Sequence, residues 1–365
     1  MGQSPESTSY NSDKQGVPFY QGNADFGAVY PNPRIWCNKP IKLAKENDIL
    51  ISVRAPVGAL NFSKEECCIG RGLAAITLDS NDFLLEFIYW SLRTGVKELQ
   101  SKSTGSTFKS INKKTLEEVR IPKISLKEQK DIIRNLTLLT NILAKYKHEI
   151  VFLDELVKAR FVEMFGDPVE NTMNWPEIFI GDKCFVTKLA GFEYTQYIDY
   201  EESGEVVMVK AQNVKNGKLN RKDLSFISKK VSDSLPRSQL APGDVVMTYV
   251  GANIGDVAVI DDVYKYHLAP NVAKIRPNAE VYNSIYFMYM LMLLNIYIVK
   301  NSADTAKAAL GMEKIRKLKV FIPPLELQNQ FASFVEEIDK SRSRIQKSLE
   351  ASQELFDSLM QEYFG

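Results

Sequence analysis

Two stretches of the chain carry the same hydrophobic rhythm. Between Ser125 and Gly166 apolar side chains stand at Ile132, Leu136, Leu139, Leu143, Tyr146, Ile150, Leu153 and Val157, in alternating steps of four and three, with no Pro and no Gly before the last residue. That spacing keeps every apolar position on one helical face and predicts one long helix with a coiled-coil seam. The rhythm returns at Phe331, Phe334, Ile338, Ser341, Ile345, Leu349, Ser352, Phe356, Leu359 and Tyr363, weakened by two serines and one irregular step. The natural partner of the second helix is the first. Each helix of about 40 residues extends roughly 60 Å at 1.5 Å per residue. Since a whole globular segment separates them in sequence, the pair can run antiparallel with one globule near each end.

The segments between the helices also repeat. Asn47-Asp48-Ile49-Leu50-Ile51-Ser52 followed by Val57-Gly58 parallels Gly243-Asp244-Val245-Val246-Met247-Thr248 followed by Ile254-Gly255. Each reads as a turn, a buried strand and a glycine turn. A helical stretch follows in each copy, Phe83–Leu99 and Tyr282–Lys300, and then an Ile-Pro breaker at Ile121-Pro122 and Ile322-Pro323. Matching the breakers pairs Leu126 with Leu327 and Gln129 with Gln330, an offset of 201 residues, whereas the closing runs ending at Gly166 and Gly365 give 199. The expected organisation is a first domain over 1–124, a helix over 125–166, a second domain over 167–324 and a second helix over 325–365. Asn174–Leu189, read as the opening strand and turn of the second domain, has no counterpart in the first copy. The first domain is therefore expected to lack an N-terminal edge, either trimmed or continued upstream.

Composition changes this picture little. With 365 residues, 45% hydrophobic and 25% charged, the chain is long enough for two cores. A net charge of +1 leaves no bulk electrostatic case for or against nucleic acid, so a binding surface must be a local patch. Cys37, Cys67, Cys68 and Cys184 include no CxxC pair, and His148 and His267 are the only histidines, so no zinc site of ordinary spacing is expected. Adjacent Cys67 and Cys68 should face opposite sides of a strand. The polar N-terminus is no signal peptide. The most apolar stretch, Ile285–Val299, is too short for a membrane span and reads as a buried core helix. A cytoplasmic location is expected.

The run Leu153–Pro168, the Ile-Pro…Leu…Gln helix openings and the duplicated strand–glycine pattern resemble the specificity subunits of type I restriction–modification systems. The resemblance covers nearly the whole chain. It implies a mixed α/β (α+β) fold in which two pseudo-repeated target-recognition domains are separated by two long antiparallel coiled-coil helices. It further implies that each domain reads one half of a bipartite double-stranded DNA site, and that the helices dock two adenine-methylating subunits, to which restriction and motor subunits are added. The same features also suit a coiled-coil scaffold whose globules bind protein.

Catalytic motifs are missing where they would be expected. A base-flipping methyltransferase needs an Asp/Asn-Pro-Pro-Tyr-like loop and a glycine-rich methyl-donor turn, yet the only Pro-Pro, Pro323-Pro324, has no amide or carboxylate before it and marks a helix boundary. The closest run to a phosphate-binding loop, Gly105–Ser110, lacks the spacing and the second glycine. No cofactor is expected on this chain; S-adenosylmethionine, ATP and Mg are expected on partners. The adjacent acidic pairs, such as Glu117-Glu118 and Asp261-Asp262, read as solvated turns and helix faces, and His148 as a side chain facing solvent or a partner.

Base edges are read by Arg, Lys, Asn and Gln, set among groups that bond phosphates. Such mixtures occur at equivalent places in both copies. In the first, Gln21 and Asn23 follow a strand, Arg54 follows the next, and Lys102, Ser106 and Lys109 lie in a small-residue loop before the breaker. In the second they are Lys210, Gln212, Asn213, Lys215, Tyr249, Asn253, Lys265 and His267. For helix packing and partner docking the candidates are Ile132, Leu136, Leu139, Leu143, Ile150, Leu153, Val157, Phe331, Phe334, Ile338, Ile345, Phe356 and Leu359.

Overall fold

The computed structural model describes residues 1–101, 110–295 and 309–365. Helix α1 spans Leu85–Thr94, α2 Val96–Ser101, α3 Lys113–Glu117 and α4 Leu126–Phe165; α5 spans Ile180–Lys183, α6 Gly191–Tyr197, α7 Lys229–Ser234, α8 Ser284–Leu293, α9 Met312–Arg316 and α10 Leu325–Phe364. The chain forms two compact units whose boundaries fall inside the long helices: Met1–Lys147 with Lys347–Gly365, and His148–Gln346. Each unit thus contains its own globule, the start of the helix that follows it and a part of the other helix.

Local chemistry sets the ends of α4. Ser125 and Glu128 form a reciprocal capping box, with the Ser125 N–H donating to Glu128 Oε2 at 2.9 Å and the Glu128 N–H to Ser125 Oγ at 3.2 Å. At the other end Gly166 takes φ +80°, where a Cβ would meet Thr172 Oγ1 at 2.4 Å, and its N–H returns to the Val162 carbonyl at 2.8 Å. In α10 the Leu327 and Gln328 N–H groups both donate to the Pro324 carbonyl, at 3.0 and 3.2 Å.

In the first unit the strands are β1 (Tyr10–Asn11), β2 (Val17–Tyr20), β3 (Trp36–Cys37), β4 (Leu43–Ala44), β5 (Ile49–Ser52), β6 (Leu60–Phe62), β7 (Cys67–Ile69) and β8 (Leu73–Ile76). They form sheets of order β1-β3-β2-β7-β4 and β6-β5-β8, with β2 and β7 parallel. Cys67 and Cys68 do point to opposite faces, into separate cores with Leu50 and with Phe19. Burial raises both thiols to about 11.

The second unit repeats this topology with β9 (Glu177–Phe179), β10 (Cys184–Lys188), β11 (Val206–Val209), β12 (Val214–Lys215), β13 (Lys218–Leu219), β14 (Ser225–Ile227), β15 (Gln239–Leu240), β16 (Val245–Thr248), β17 (Val257–Val259), β18 (Lys265–Leu268), β19 (Val272–Pro277) and β20 (Lys319–Phe321). Here the sheets run β14-β11-β18-β15, with β11 and β18 parallel, and β10-β19-β16-β17. Strand β10 pairs with β19 over five residues, whereas β8, which occupies the place of β19, pairs only with β5 among the described residues. Strand β10 lies within Asn174–Leu189, the segment expected to lack a counterpart in the first copy.

The duplicated turns are equivalent in detail. Asp48 Oδ2 accepts from the Lys45 N–H and Asp244 Oδ2 from the Ala241 N–H, both at 2.8 Å. The Gly58 N–H donates to the Ser52 carbonyl at 2.9 Å, as Gly255 does to Thr248 at 2.8 Å, with φ of +95° and +85°.

The 201-residue register between the helix openings is corrected by two buried amides. Gln129 donates to the Asp82 and Ile124 carbonyls at 2.8 and 3.1 Å and accepts from the Leu84 N–H at 2.8 Å. The same three bonds are made by Gln328, to the Val281 and Pro323 carbonyls at 3.0 and 2.8 Å and from the Asn283 N–H at 2.9 Å. Gln330, by contrast, is exposed. The true offset is therefore 199 throughout the helices, and the first copy holds two extra residues between its Ile-Pro and its helix.

The packing seams follow the same offset. In the first unit Ile132, Leu136, Leu139 and Leu143 are buried with Phe356 and Met360, beneath Phe87 and Trp90 of α1, and Leu359 packs against the cluster. In the second, Val157, Phe161 and Phe165 are buried with Phe331 and Val335, and Phe334 and Ile338 pack against them. The helices are antiparallel there: Phe161 meets Phe331, Arg160 lies over Phe334, and Asp154 pairs with Arg342. Ile150, Leu153 and Ile345 are half-buried. Ser341 does not belong to the seam. It is exposed, and Arg342, the position equivalent to Leu143, is buried instead with its guanidinium between Asp154 and Asp339. A long aliphatic stem ending in a charge can occupy such a position when carboxylates meet the head.

Among the described residues no helix is long and apolar enough to cross a membrane. Helix α8 is a core helix, with Tyr286 to Leu291 all buried.

Candidate nucleic-acid interface

In each unit several of the polar candidates gather where the parallel strand pair ends. In the first, the Gly70 N–H donates to the Tyr20 carbonyl (2.8 Å), Gly72 to Gln21 (3.2 Å), Val53 to Gly72 (2.9 Å) and Ile111 to Val53 (2.9 Å). In the second, Ala269 donates to Val209 (3.2 Å), Tyr249 to Asn271 (2.9 Å) and Leu310 to Tyr249 (2.8 Å). These bonds tie three loops into one end of each globule. They also align Gln21 with Lys210: the Gln21 N–H is held by Asp25 Oδ2 at 3.0 Å, the Lys210 N–H by Asn213 Oδ1 at 3.1 Å.

Gln21, Asn23 and Arg54 line a single cleft of about 230 Å³, closed by Gly22, Ala55, Arg71 and Gly72. Gln21, Arg54 and Arg71 are exposed and Asn23 half-exposed. Arg71 was not anticipated from the sequence; its signal was the flanking pair of glycines. Lys102, Ser106 and Lys109 lie outside the described residues. Ser110, just beyond them, bridges to Arg54.

In the second unit Gln212 and Asn253 are exposed and Tyr249 is half-buried, with the Lys188 ammonium 5.3 Å from its ring centroid. Lys188 is a second residue the sequence reading missed, because it ends the strand without a counterpart. Lys210 is partly engaged, donating to Ser225 Oγ at 2.9 Å and to the Asp223 carbonyl at 3.2 Å.

Two candidates are corrected, and two others lie apart from the loop cluster. Asn213 is 2% exposed and serves as a loop staple, its amide donating to the Asn220 and Lys222 carbonyls at 2.9 and 3.2 Å. His267 is fully buried on β18, with Nδ1 3.0 Å from the Leu268 carbonyl, and burial lowers its pKa. Neither side chain faces solvent, so neither is available to a base edge. Lys265 stands opposite Val206, at the start of β18, whereas the loop cluster lies beyond Val209 and Leu268 at the other end. Lys215 lines a different cavity of about 1000 Å³ with Lys218, Asp154, Asp256 and Asp339. Burial, then the nearby Arg342, lowers the Lys218 pKa there.

Among the described residues no group of three or more His, Cys, Asp or Glu is placed to hold a metal. His148 is exposed on α4.

The sequence profile of the type I restriction modification DNA specificity domain matches residues 5–151 and again 173–353. Over 143 residues the chain is 45% identical to the putative type I restriction enzyme MjaX specificity subunit of Methanocaldococcus jannaschii, a match spanning 39% of this chain and 34% of that protein. It is 19% identical to the type I restriction enzyme EcoBI specificity subunit of Escherichia coli across 94% of this chain and 77% of that one. In fold it is similar to the S subunit of a type I restriction–modification system from M. genitalium, with a TM-score of 0.58 at 16% identity, covering 100% of this chain and 92% of that one. A chain from a type I system solved in a study of its complex assembly and conformational transition gives a TM-score of 0.61 at 14% identity, over 95% and 91%. The two profile matches each contain one globule with its loop cluster, and the chain belongs to the type I restriction–modification DNA specificity family, with two copies of the domain in one polypeptide.

Proposed function

We propose that this chain is the non-catalytic subunit that gives a type I restriction–modification complex its DNA sequence. Each domain reads one half of a bipartite double-stranded site, and α4 and α10 set the spacer between the halves. Two methyltransferase subunits dock along the helices and bring their active sites to an adenine in each half; restriction and motor subunits join that core. S-adenosylmethionine, ATP and Mg belong to those partners.

The observation that carries this reading is the pair of loop clusters. They occupy the same topological place in two copies of a DNA-specificity domain, yet present different side chains: Gln21, Asn23, Arg54 and Arg71 in one, Lys210, Gln212, Tyr249 and Asn253 in the other. Two readers of one scaffold and unlike chemistry suit two unlike half-sites. Residues of these types form the bidentate bonds that distinguish base pairs in the major groove. The scaffold alternative has no comparable observation behind it.

Electrophoretic retardation with the chain and its methyltransferase partner tests the proposal. Selective retention of a duplex carrying two defined half-sites is expected, weakened by Gln212→Ala or Arg54→Ala and by salt. Equal retention of every duplex, or methyl transfer by this chain alone, contradicts it.

A further inference from the structure

We infer that Arg71, with Arg54 beside it, reads a guanine in the half-site assigned to the first domain. This rests on the proposed DNA-reading function and adds the chemistry of one of its contacts.

The geometry begins with two glycines. A Cβ on Gly72 would lie 2.4 Å from the Gln21 carbonyl oxygen, and one on Gly70 would lie 3.0 Å from Gln21 Cα and 3.1 Å from Ser4 Oγ. Only glycine lets the Gly70–Gly72 turn lie this close to Gln21, which puts Arg71 on the wall of the same cleft as Gln21, Asn23 and Arg54. The turn is fixed from both sides, by Gly70 to Tyr20 and Gly72 to Gln21 on one and by Val53 to Gly72 on the other.

Among the described residues neither Arg54 nor Arg71 makes an ion pair or a side-chain hydrogen bond, and both are exposed. Several arginines elsewhere are committed, Arg34 to Asp25, Arg221 to Asp261, Arg237 to Glu193, Arg276 to Asp244 and Arg342 to Asp154. Asp25, whose carboxylate accepts from the Gln21 N–H, is also held by Arg34. Among the described residues no carboxylate lines the cleft itself. Two guanidinium groups with no carboxylate partner among the described residues therefore border a polar recess with two amide side chains. A guanidinium fork matches the paired O6 and N7 acceptors of guanine, whereas adenine offers a donor in place of O6.

The second domain has no such pair. By the offsets of the duplicated loops, Pro270 stands where Arg71 does and Val250 where Arg54 does, as the bridges Arg54 to Ser110 and Val250 to Ala309 confirm. This pair of loop arginines thus has no equivalent at the matching positions of the second domain.

The test uses the chain in complex with its methyltransferase partner and the site defined by methylome sequencing, each half assigned by which domain's variants alter it. Replacing guanine in the first half-site by 7-deazaguanine, which lacks N7, is expected to weaken binding about tenfold or more. Arg71→Gln should remove most of that sensitivity while leaving the second half-site's base preferences and the thermal unfolding unchanged; Arg54→Gln serves as the companion variant. A first half-site without guanine, or one whose guanines tolerate 7-deaza substitution in a duplex still bound selectively, overturns the inference and leaves the DNA-reading function standing. Loss of selectivity for every duplex by the unmodified chain refutes both.

Discussion

Gln129 and Gln328 make the same three hydrogen bonds, 199 residues apart. Each accepts from one backbone N–H near the start of a core helix and donates to two carbonyls, and each is fully buried. These amides lock each globule to the helix that follows it. Gln129→Leu or Gln328→Leu should therefore destabilise its own unit by about 2–4 kcal/mol, since a single orphaned buried group already costs about 1–3 kcal/mol. Gln330→Ala, on the exposed position, should change stability by less than about 0.5 kcal/mol. Urea unfolding measures all three; a Gln330 effect as large as the Gln328 effect contradicts the 199-residue register.

Arg342 offers a second contrast. Its equivalent in the first helix is Leu143, buried at the same point of the seam. Replacing a buried charge by a well-packed apolar side chain is often neutral, whereas truncation leaves a cavity and unpaired partners. Arg342→Leu should hold stability within about 1 kcal/mol, with Arg342→Ala clearly worse. Equal losses from both would mean that the bonds to Asp154 and Asp339 matter more than packing.

His267 predicts a pH dependence. Its pKa in the folded chain lies below the ordinary value of 6.5, because burial outweighs the favourable backbone carbonyls and Glu193, with Lys274 adding to the depression. Below about pH 6.5 the unfolded chain takes up a proton that the folded chain does not, so acid draws the equilibrium toward unfolding. Thermal melts at pH 8 and pH 5.5 should differ more for the natural protein than for His267→Gln. An unchanged difference would assign the acid sensitivity to other groups.

Much of this architecture was legible in the sequence because it depends on local rules. The uninterrupted seam, the Ser125 and Gly166 boundaries and the strand–glycine repeats specify the elements without tertiary information. The register was not, because Ile-Pro recurs in both copies and invites alignment two residues out of step, while the bonds that fix it come from Asp82 and Leu84 or Val281 and Asn283, far along the chain. Ser341 looked like a weakened seam position because charge counting excludes Arg342, whose partner Asp154 is 188 residues away. Asn213 and His267 have the right chemistry for base reading, but side-chain direction decided against them: Asn213 turns inward to close its own loop, and His267 lies in the buried stretch of β18. Arg71 needed the parallel pairing of β2 with β7 to bring it beside Gln21.

The spacer helices predict a length rule. Seven residues add about 10 Å of helix, or roughly three base pairs. Inserting one heptad into both helices, to keep their antiparallel pairs in step, should change the permitted spacer and leave the half-site bases alone. Altered half-sites with an unchanged spacer would break the link between helix length and spacing.

The most direct measurement is methylome sequencing of a host carrying this chain with its partner subunits. Methylated adenines should fall in one bipartite motif, two short defined blocks separated by a fixed stretch of unspecified bases, with Gln212→Ala relaxing one block and Arg71→Gln the other. A single continuous motif, or a methylation pattern indifferent to this chain, would contradict the assignment of one half-site to each domain.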